Sequence, residues 1–428
     1  MIEMLKLQLM MRRLFPLIAL WFSWIALAVA ADTGANPNIS PAGSSDSPRT
    51  WIDPTTGHRV VNLSHGLGAS SGFYFHQWPY VDARNMLFKS VTPTGSVLFR
   101  VEVPDGTPVQ LTEQKTSYYE VIGVRRHEVY YFIKQAPNRG ALYAMNLQTR
   151  VHRLITDQLP FGELFGVNLT INADETLLGT AYAERIGEYF NQYTRAQRWG
   201  AFARLGLTNH LLVVNIDGGQ IHDIYRTNAW LGHVQFAPRN PHLIEFCRET
   251  SAEADPVKDR MWVIRADGSG LKRIFPQVPH QDVVTHEFWD PKKPVIWFDL
   301  RTPAPPDQRL YIASVDVRSG VTQRFQIPDE SHSIHYNINS DGSMFCGDGG
   351  YHNSDKKRPQ SIWLFHRKGD HLEPERIFDM RKHDYVRTEP NVHFDPSGQW
   401  VIFTYNGEGG RNQVYAAEVK PSIKPATP

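Results

Sequence analysis

The 428-residue sequence is short of several things. It holds 2 cysteines, too few for a disulfide framework. It has no excess of one charge: 45 Lys and Arg face 44 Asp and Glu, for a net +1. Nothing in that balance argues for nucleic acid or an anionic membrane as partner. Beyond the N-terminal 30 residues, no run is apolar enough to span a bilayer as a helix. Signature loops are missing too. Gly68-Ala-Ser-Ser-Gly72 has the Gly-x-Ser-x-Gly spacing, but Phe73-Tyr-Phe-His-Gln-Trp-Pro79 after it does not read as the helix that a nucleophile elbow opens, which argues against a serine hydrolase. Gly347-Asp-Gly-Gly-Tyr-His is glycine-rich, but no Lys-Ser/Thr follows, so it is not a phosphate loop.

What is present points to β-structure. Hydrophobic residues make up 41% and charged residues 21%, which excludes wholesale disorder. Aromatics reach 12%, with 31 Gly and 29 Pro, a mixture suited to many short strands and turns. At the N-terminus, Arg12 and Arg13 precede an apolar run from Leu14 that ends in Ala28-Val29-Ala30. This is the outline of a signal peptide over residues 1–30, and it implies a periplasmic or secreted protein. Residues 31–50 read as a flexible lead-in, 51–420 as one domain and 421–428 as a tail.

A repeat runs through that domain. Leu231-Gly-His-Val-Gln-Phe-Ala-Pro, Val284-Thr-His-Glu-Phe-Trp-Asp-Pro, His335-Tyr-Asn-Ile-Asn-Ser-Asp-Gly and Asn391-Val-His-Phe-Asp-Pro-Ser-Gly each place a strand before a tight turn. Units start near 74, 119, 168, 231, 284, 335 and 389, about 52 residues apart, near the spacing of propeller blades with loop insertions. The expected fold is all-β, a seven-bladed β-propeller. The last unit has room for three strands, and His58-Arg-Val-Val-Asn-Leu-Ser supplies a fourth that closes the ring. Residues 185–207 interrupt the third unit with helix-like spacing and predict a helical flap.

In a propeller the innermost strands line one channel. His76, His233, His286, His335 and His393 fall at or near innermost strands of different units, so they are expected to converge on one site. Cys247 and Cys346 sit in non-adjacent units and are expected to be buried free thiols. Most of the Trp and Tyr residues are expected to pack the blades.

The strings Thr285-His-Glu-Phe-Trp289, Leu231-Gly-His233 and Asp259-Arg-Met-Trp262, with Asp341-Gly-Ser-Met-Phe-Cys-Gly-Asp-Gly349, resemble the oligogalacturonate lyases from about Asp53 to Val419. These are propeller enzymes that use a divalent metal, typically manganese. The resemblance implies β-elimination on a uronate-containing oligosaccharide. It implies that His233 is the base and His286 a metal ligand. The family's Gln-x-x-His-x-His metal string falls on Val386, Glu389 and Asn391, a departure that leaves Glu389, Asn391 and the nearby His393 as ligand candidates for Mn²⁺, with Ca²⁺ the alternative. The family arginine ahead of the base falls on His210, with Arg226 or Arg248 as compensating cations. His335 and Arg248 are expected to bind or polarise the substrate carboxylate, and His76 and Gln77 to line the pocket. The contrasting expectation is a non-catalytic periplasmic propeller that binds a glycan or protein through the same mouth.

Overall fold

A computed structural model describes residues 49–92, 95–112, 120–164, 168–249, 259–303, 306–350, 360–407 and 409–422. The expected signal peptide, nearly all of the lead-in and most of the tail lie outside the described residues. No described helix is long and apolar enough to cross a membrane.

The fold is all-β with very little helix. Antiparallel sheets follow one another along the chain. The first takes strands Ser70–Ser71, Asn85–Thr92, Gly95–Glu102 and Val109–Gln110. The second spans Val121–Gly123 to His152–Leu159, the third Thr170–Ile171 to Ile221–Thr227, and the fourth Trp230–Ala237 to Lys272–Arg273. The fifth has eight strands in two halves, Val283–Trp289 to Thr322–Ile327 and Tyr336–Ile338 to His371–Asp379. The halves meet at one parallel bridge, Gln326 with His371. In the last sheet, His393–Phe394, Trp400–Tyr405 and Gln413–Glu418 are completed from the other end of the chain. Arg59–Asn62 pairs with Gln413–Glu418, and Thr50–Ile52 adds a fifth strand. The strand expected at His58 therefore pairs where it was expected to.

Period-2 alternation explains why the sheets stack. In a strand successive side chains point to opposite faces. Val401, Phe403 and Tyr405 pack with Ile362, Leu364 and Phe378 of the preceding half-sheet. Trp400 and Ile402, on the other face, pack with Met86, Phe88 and Val97 of the first sheet. Tyr130 and Phe132 likewise face the third sheet while Val129 and Tyr131 face the first. Middle strands are thus buried on both faces: Trp400–Tyr405 is buried throughout, whereas the outer strand Thr322–Ile327 is mostly exposed. The turns after the inner strands are held by side chains. Asp290 accepts from the amides of Lys292 and Lys293, and Asn339 from those of Ser343 and Met344.

The insertion is helical, as its spacing predicts. Helix α1 covers Ile186–Tyr189 and helix α2 Arg195–Leu205. Thr194 and Gln197 form a capping box at the start of α2, and Gly206, at φ 58°, ends it in the left-handed conformation. Phe202 of α2 stacks on Trp230 at the entry to the fourth sheet. Both cysteines are buried and free.

Candidate active site

The loop from 72 to 79 enters a cluster built by inner strands of several sheets. Gln77 donates to the carbonyls of Glu120 and Leu169, just before the second and third sheets. Asn337 donates to the Phe75 carbonyl, and the Phe75 amide donates to Asn391 Oδ1. Phe75 stacks on His335 with ring centroids 4.6 Å apart and lies edge-on to His76, His233 and His286. Four of the five expected histidines therefore surround one phenyl ring. The fifth, His393, is tied to the same loop: its Nε2 lies 3.1 Å from the Tyr74 carbonyl.

Backbone geometry aims these side chains. His233 and His286 sit where the first two strands of their sheets slip register, at bulges spanning Gly232 to Gln235 and Thr285 to Phe288. Both take left-handed φ values, 46° and 52°, unusual for a side chain larger than Asn. Asn391, the equivalent residue of the last unit, has φ 54°. His233, His286, His335 and Asn391 each stand four residues before the turn residue that follows the inner strand: Ala237, Asp290, Asn339 and Asp395.

Two chemical groupings result. In the first, His233 Nδ1 lies 2.8 Å from Glu287 Oε2, and its Nε2 lies 3.2 Å from the Tyr74 hydroxyl. Arg260 donates to Glu287 through Nε, and Nη2 lies 3.3 Å from both Glu287 Oε2 and Glu249 Oε1. Burial would raise the Glu287 carboxyl, but Arg260 and His233 outweigh it and hold it below the usual carboxylate range. Glu245, also buried there and facing Glu287, is raised by burial. His233, Cys247 and Glu287 offer donor atoms within 4.8 Å of one another, a possible metal-binding group by distance. Chemistry argues against that trio. The Arg260 guanidinium, paired with Glu287, already supplies positive charge there.

The second grouping suits a cation better. His335 is fully buried; its Nδ1 lies 2.7 Å from Asp348 Oδ2, and its Nε2 lies 3.4 Å from Glu389 Oε2. That Nε2 makes no hydrogen bond among the described residues. Two donors held about 2.1 Å from one ion stand about 3 Å apart, so this spacing fits a shared cation. The carboxylate behind the imidazole is the usual support of a metal-ligating histidine. His286 adjoins it, with ring centroids 4.7 Å apart, and its buried Nδ1 makes no hydrogen bond among the described residues and lies 3.5 Å from Asp299. Burial and the neighbouring imidazoles push His286 well below the ordinary histidine value, leaving it neutral.

The remaining candidates divide. His76, half-buried, has its ring 5.4 Å from His233 and an Nε2 with no hydrogen bond among the described residues. Asn391 is committed to backbone: Oδ1 accepts from Phe75 and Nδ2 donates to the Glu389 carbonyl. His393 is likewise held by a carbonyl, and burial lowers it to about 4. Gln77 serves the loop's anchorage. The Arg248 guanidinium lies over the Trp262 ring, 5.1 Å from its centroid. His210 and Arg226 belong to a separate grouping on the third sheet. There His210 lies 2.7 Å from both Glu184 and Asp223 and stacks on Tyr182, while Arg226 pairs with Asp223. Sequence reasoning missed Tyr74, Glu287, Arg260 and Asp348, although Glu287, Arg260 and Asp348 lie inside the strings that carried the resemblance.

A family model for oligogalacturonate lyase matches residues 45–423. The chain belongs to the oligogalacturonate lyase family. It is 27% identical over 393 residues to an oligogalacturonate lyase of Dickeya dadantii, covering 87% of this chain and 96% of the relative. It is 23% identical to an oligogalacturonide lyase of Pectobacterium atrosepticum, with coverage of 87% and 96%. Its fold is similar to the crystal structure of oligogalacturonate lyase from Vibrio parahaemolyticus, with a TM-score of 0.73 at 22% identity over 88% of this chain and 97% of that one. It is also similar to an oligogalacturonate lyase in complex with manganese, with a TM-score of 0.70 at 21% identity over 87% and 96%.

Proposed function

We propose that this chain is an exported, metal-assisted lyase that cleaves oligogalacturonate by β-elimination, built as a seven-bladed propeller. The blade count is supported by the packing. Seven apolar clusters each join two successive units, the last unit to the first included. Export is supported by the signal-like residues 1–30, and an intact mass of the exported protein short of that segment is the test.

The observation that carries the reaction is the convergence of His233, His286 and His335, from three inner strands, on one loop. The chemical obstacle is the weakly acidic C5 proton, α to the uronate carboxylate. His335, Glu389 and His286 would hold a divalent cation, which would supply positive charge against that carboxylate, and manganese is favoured because an oligogalacturonate lyase of similar fold is in complex with it. His233 takes the C5 proton. The C5–H electron pair becomes the C4–C5 double bond, the C4–O bond breaks, and water protonates the departing oxygen. His233 then returns its proton to solvent. Half-buried His76, its ring 5.4 Å from that of His233, lines the approach to it, and Arg248 is the cation proposed to bind the sugar carboxylate.

The test is direct. The purified protein, stripped with chelator and then supplied with Mn²⁺, is incubated with oligogalacturonates while the unsaturated product is followed by its ultraviolet absorbance. Product that depends on Mn²⁺ and is lost in His233→Ala is expected. Absence of product across a range of oligomer lengths sinks the proposal.

A further inference from the structure

We infer that Glu287 is a positioning residue that holds the hydrogen of His233 on Nδ1, so that Nε2 is the atom that takes the proton. This rests on the lyase reading for its consequence in catalysis, and on geometry alone for the tautomer.

An ionised carboxylate is an acceptor with no proton to give. Glu287 Oε2 stands 2.8 Å from His233 Nδ1, so a hydrogen must sit between them on the imidazole. The other tautomer would set two lone pairs against each other at that distance, inside a region where Glu287 has no exposure at all. The other end of the ring is compatible. The Tyr74 hydroxyl lies 3.2 Å from Nε2 and can donate to a lone pair there. Both hydrogen bonds are satisfied by one tautomer, with no rotation of either partner.

Arg260 completes the device. Its Nε donates to Glu287 Oε1, leaving Oε2 for the histidine. Its guanidinium faces both carboxylate oxygens, so Glu287 meets the histidine as an acceptor. The Nη2 of Arg260 is 3.3 Å from both Oε2 and Nδ1, and its hydrogen goes to the carboxylate, the better acceptor. Tyr74 then guards the reacting atom. Its hydroxyl stands where the C5 hydrogen must come, on a loop that also carries half-buried His76. Productive binding therefore replaces the Tyr74 hydrogen bond with the substrate.

The experiment uses the whole protein labelled with ¹⁵N-histidine, the His233 signals being assigned by their loss in His233→Gln. The imidazole nitrogen shifts of the free enzyme report which nitrogen carries hydrogen. Nδ1–H is expected, and Nε2–H overturns the inference whatever any variant does. In Glu287→Gln the amide can turn its NH₂ to Nδ1 and favour the wrong tautomer. The expected result is a fall in kcat of about 10²–10⁴-fold, KM within a few-fold and unchanged Mn²⁺ affinity, with partial recovery in Glu287→Asp. A Glu287→Gln enzyme that folds and keeps the parent kcat also overturns it. Wild-type protein with no activity on oligogalacturonate would sink the lyase reading, and the shifts would still decide the tautomer.

Discussion

Arg260→Met is the perturbation that most sharply tests how the site is held. The guanidinium is 9% exposed and donates to Glu287, which is fully buried, and to Glu249, whose side chain is 12% exposed. Removing one partner of a buried ion pair costs about 3–5 kcal/mol, because the remaining charge stays out of water without compensation. Methionine fills most of the vacated volume, so the loss is electrostatic rather than a cavity. The pH dependence gives the sign. With Arg260 present, the folded Glu287 carboxyl lies below its ordinary value of 4.5. Its contribution to stability is therefore in place above pH 4.5 and is lost as pH falls further. Without Arg260, burial dominates and raises that carboxyl above 4.5. The variant is then worst near neutrality and recovers as the carboxyl protonates. Urea unfolding of both proteins at pH 7 and pH 5 is the assay. The expected gap is about 3–5 kcal/mol at pH 7, smaller at pH 5, and at least half restored by Glu287→Gln in the same chain. A gap under about 1 kcal/mol at pH 7, the scale of an exposed pair, or one that widens on acidification, refutes the reasoning.

Other expectations follow from the same geometry. Asp348→Asn removes the ionised support of His335, and Mn²⁺ affinity measured calorimetrically without substrate should fall about 10–100-fold. His210→Ala should leave kcat/KM within a few-fold while lowering Tm, since His210 bridges Glu184 and Asp223 away from the histidine cluster. A thiol reagent should modify Cys247 and Cys346 together and at the rate of unfolding, because both are buried.

The fold was legible because its signal repeats. Most units show an inner strand, an Asp or Asn turn and a second apolar strand, and the alternation that buries Val401 on one face and Ile402 on the other is visible in sequence. The strand at Arg59–Asn62 was legible for the same reason: the last unit lacked a partner. The helical insertion showed in its break of the rhythm and in Thr194 and Gln197, three apart before a periodic run.

The site was half legible, and the missing half has one physical cause. A repeat says which residues occupy equivalent positions, not which neighbours they meet across sheets. His233, His286, His335 and Asn391 share one position, so their convergence follows from the repeat. Their partners do not. Glu389 lies closer in sequence to His393 than to His335, yet the structure sets it 3.4 Å from His335 Nε2. His393, the natural substitute ligand by sequence, is turned to the Tyr74 carbonyl instead. Glu287 follows His286 directly, and because successive strand side chains diverge, the two serve different groupings. Here the bulge from Thr285 to Phe288 separates their directions further: His286 adjoins His335 while Glu287 reaches back to His233 of the preceding sheet. One irregular strand thus contributes to both groupings, with Glu287 on His233 and His286 beside His335.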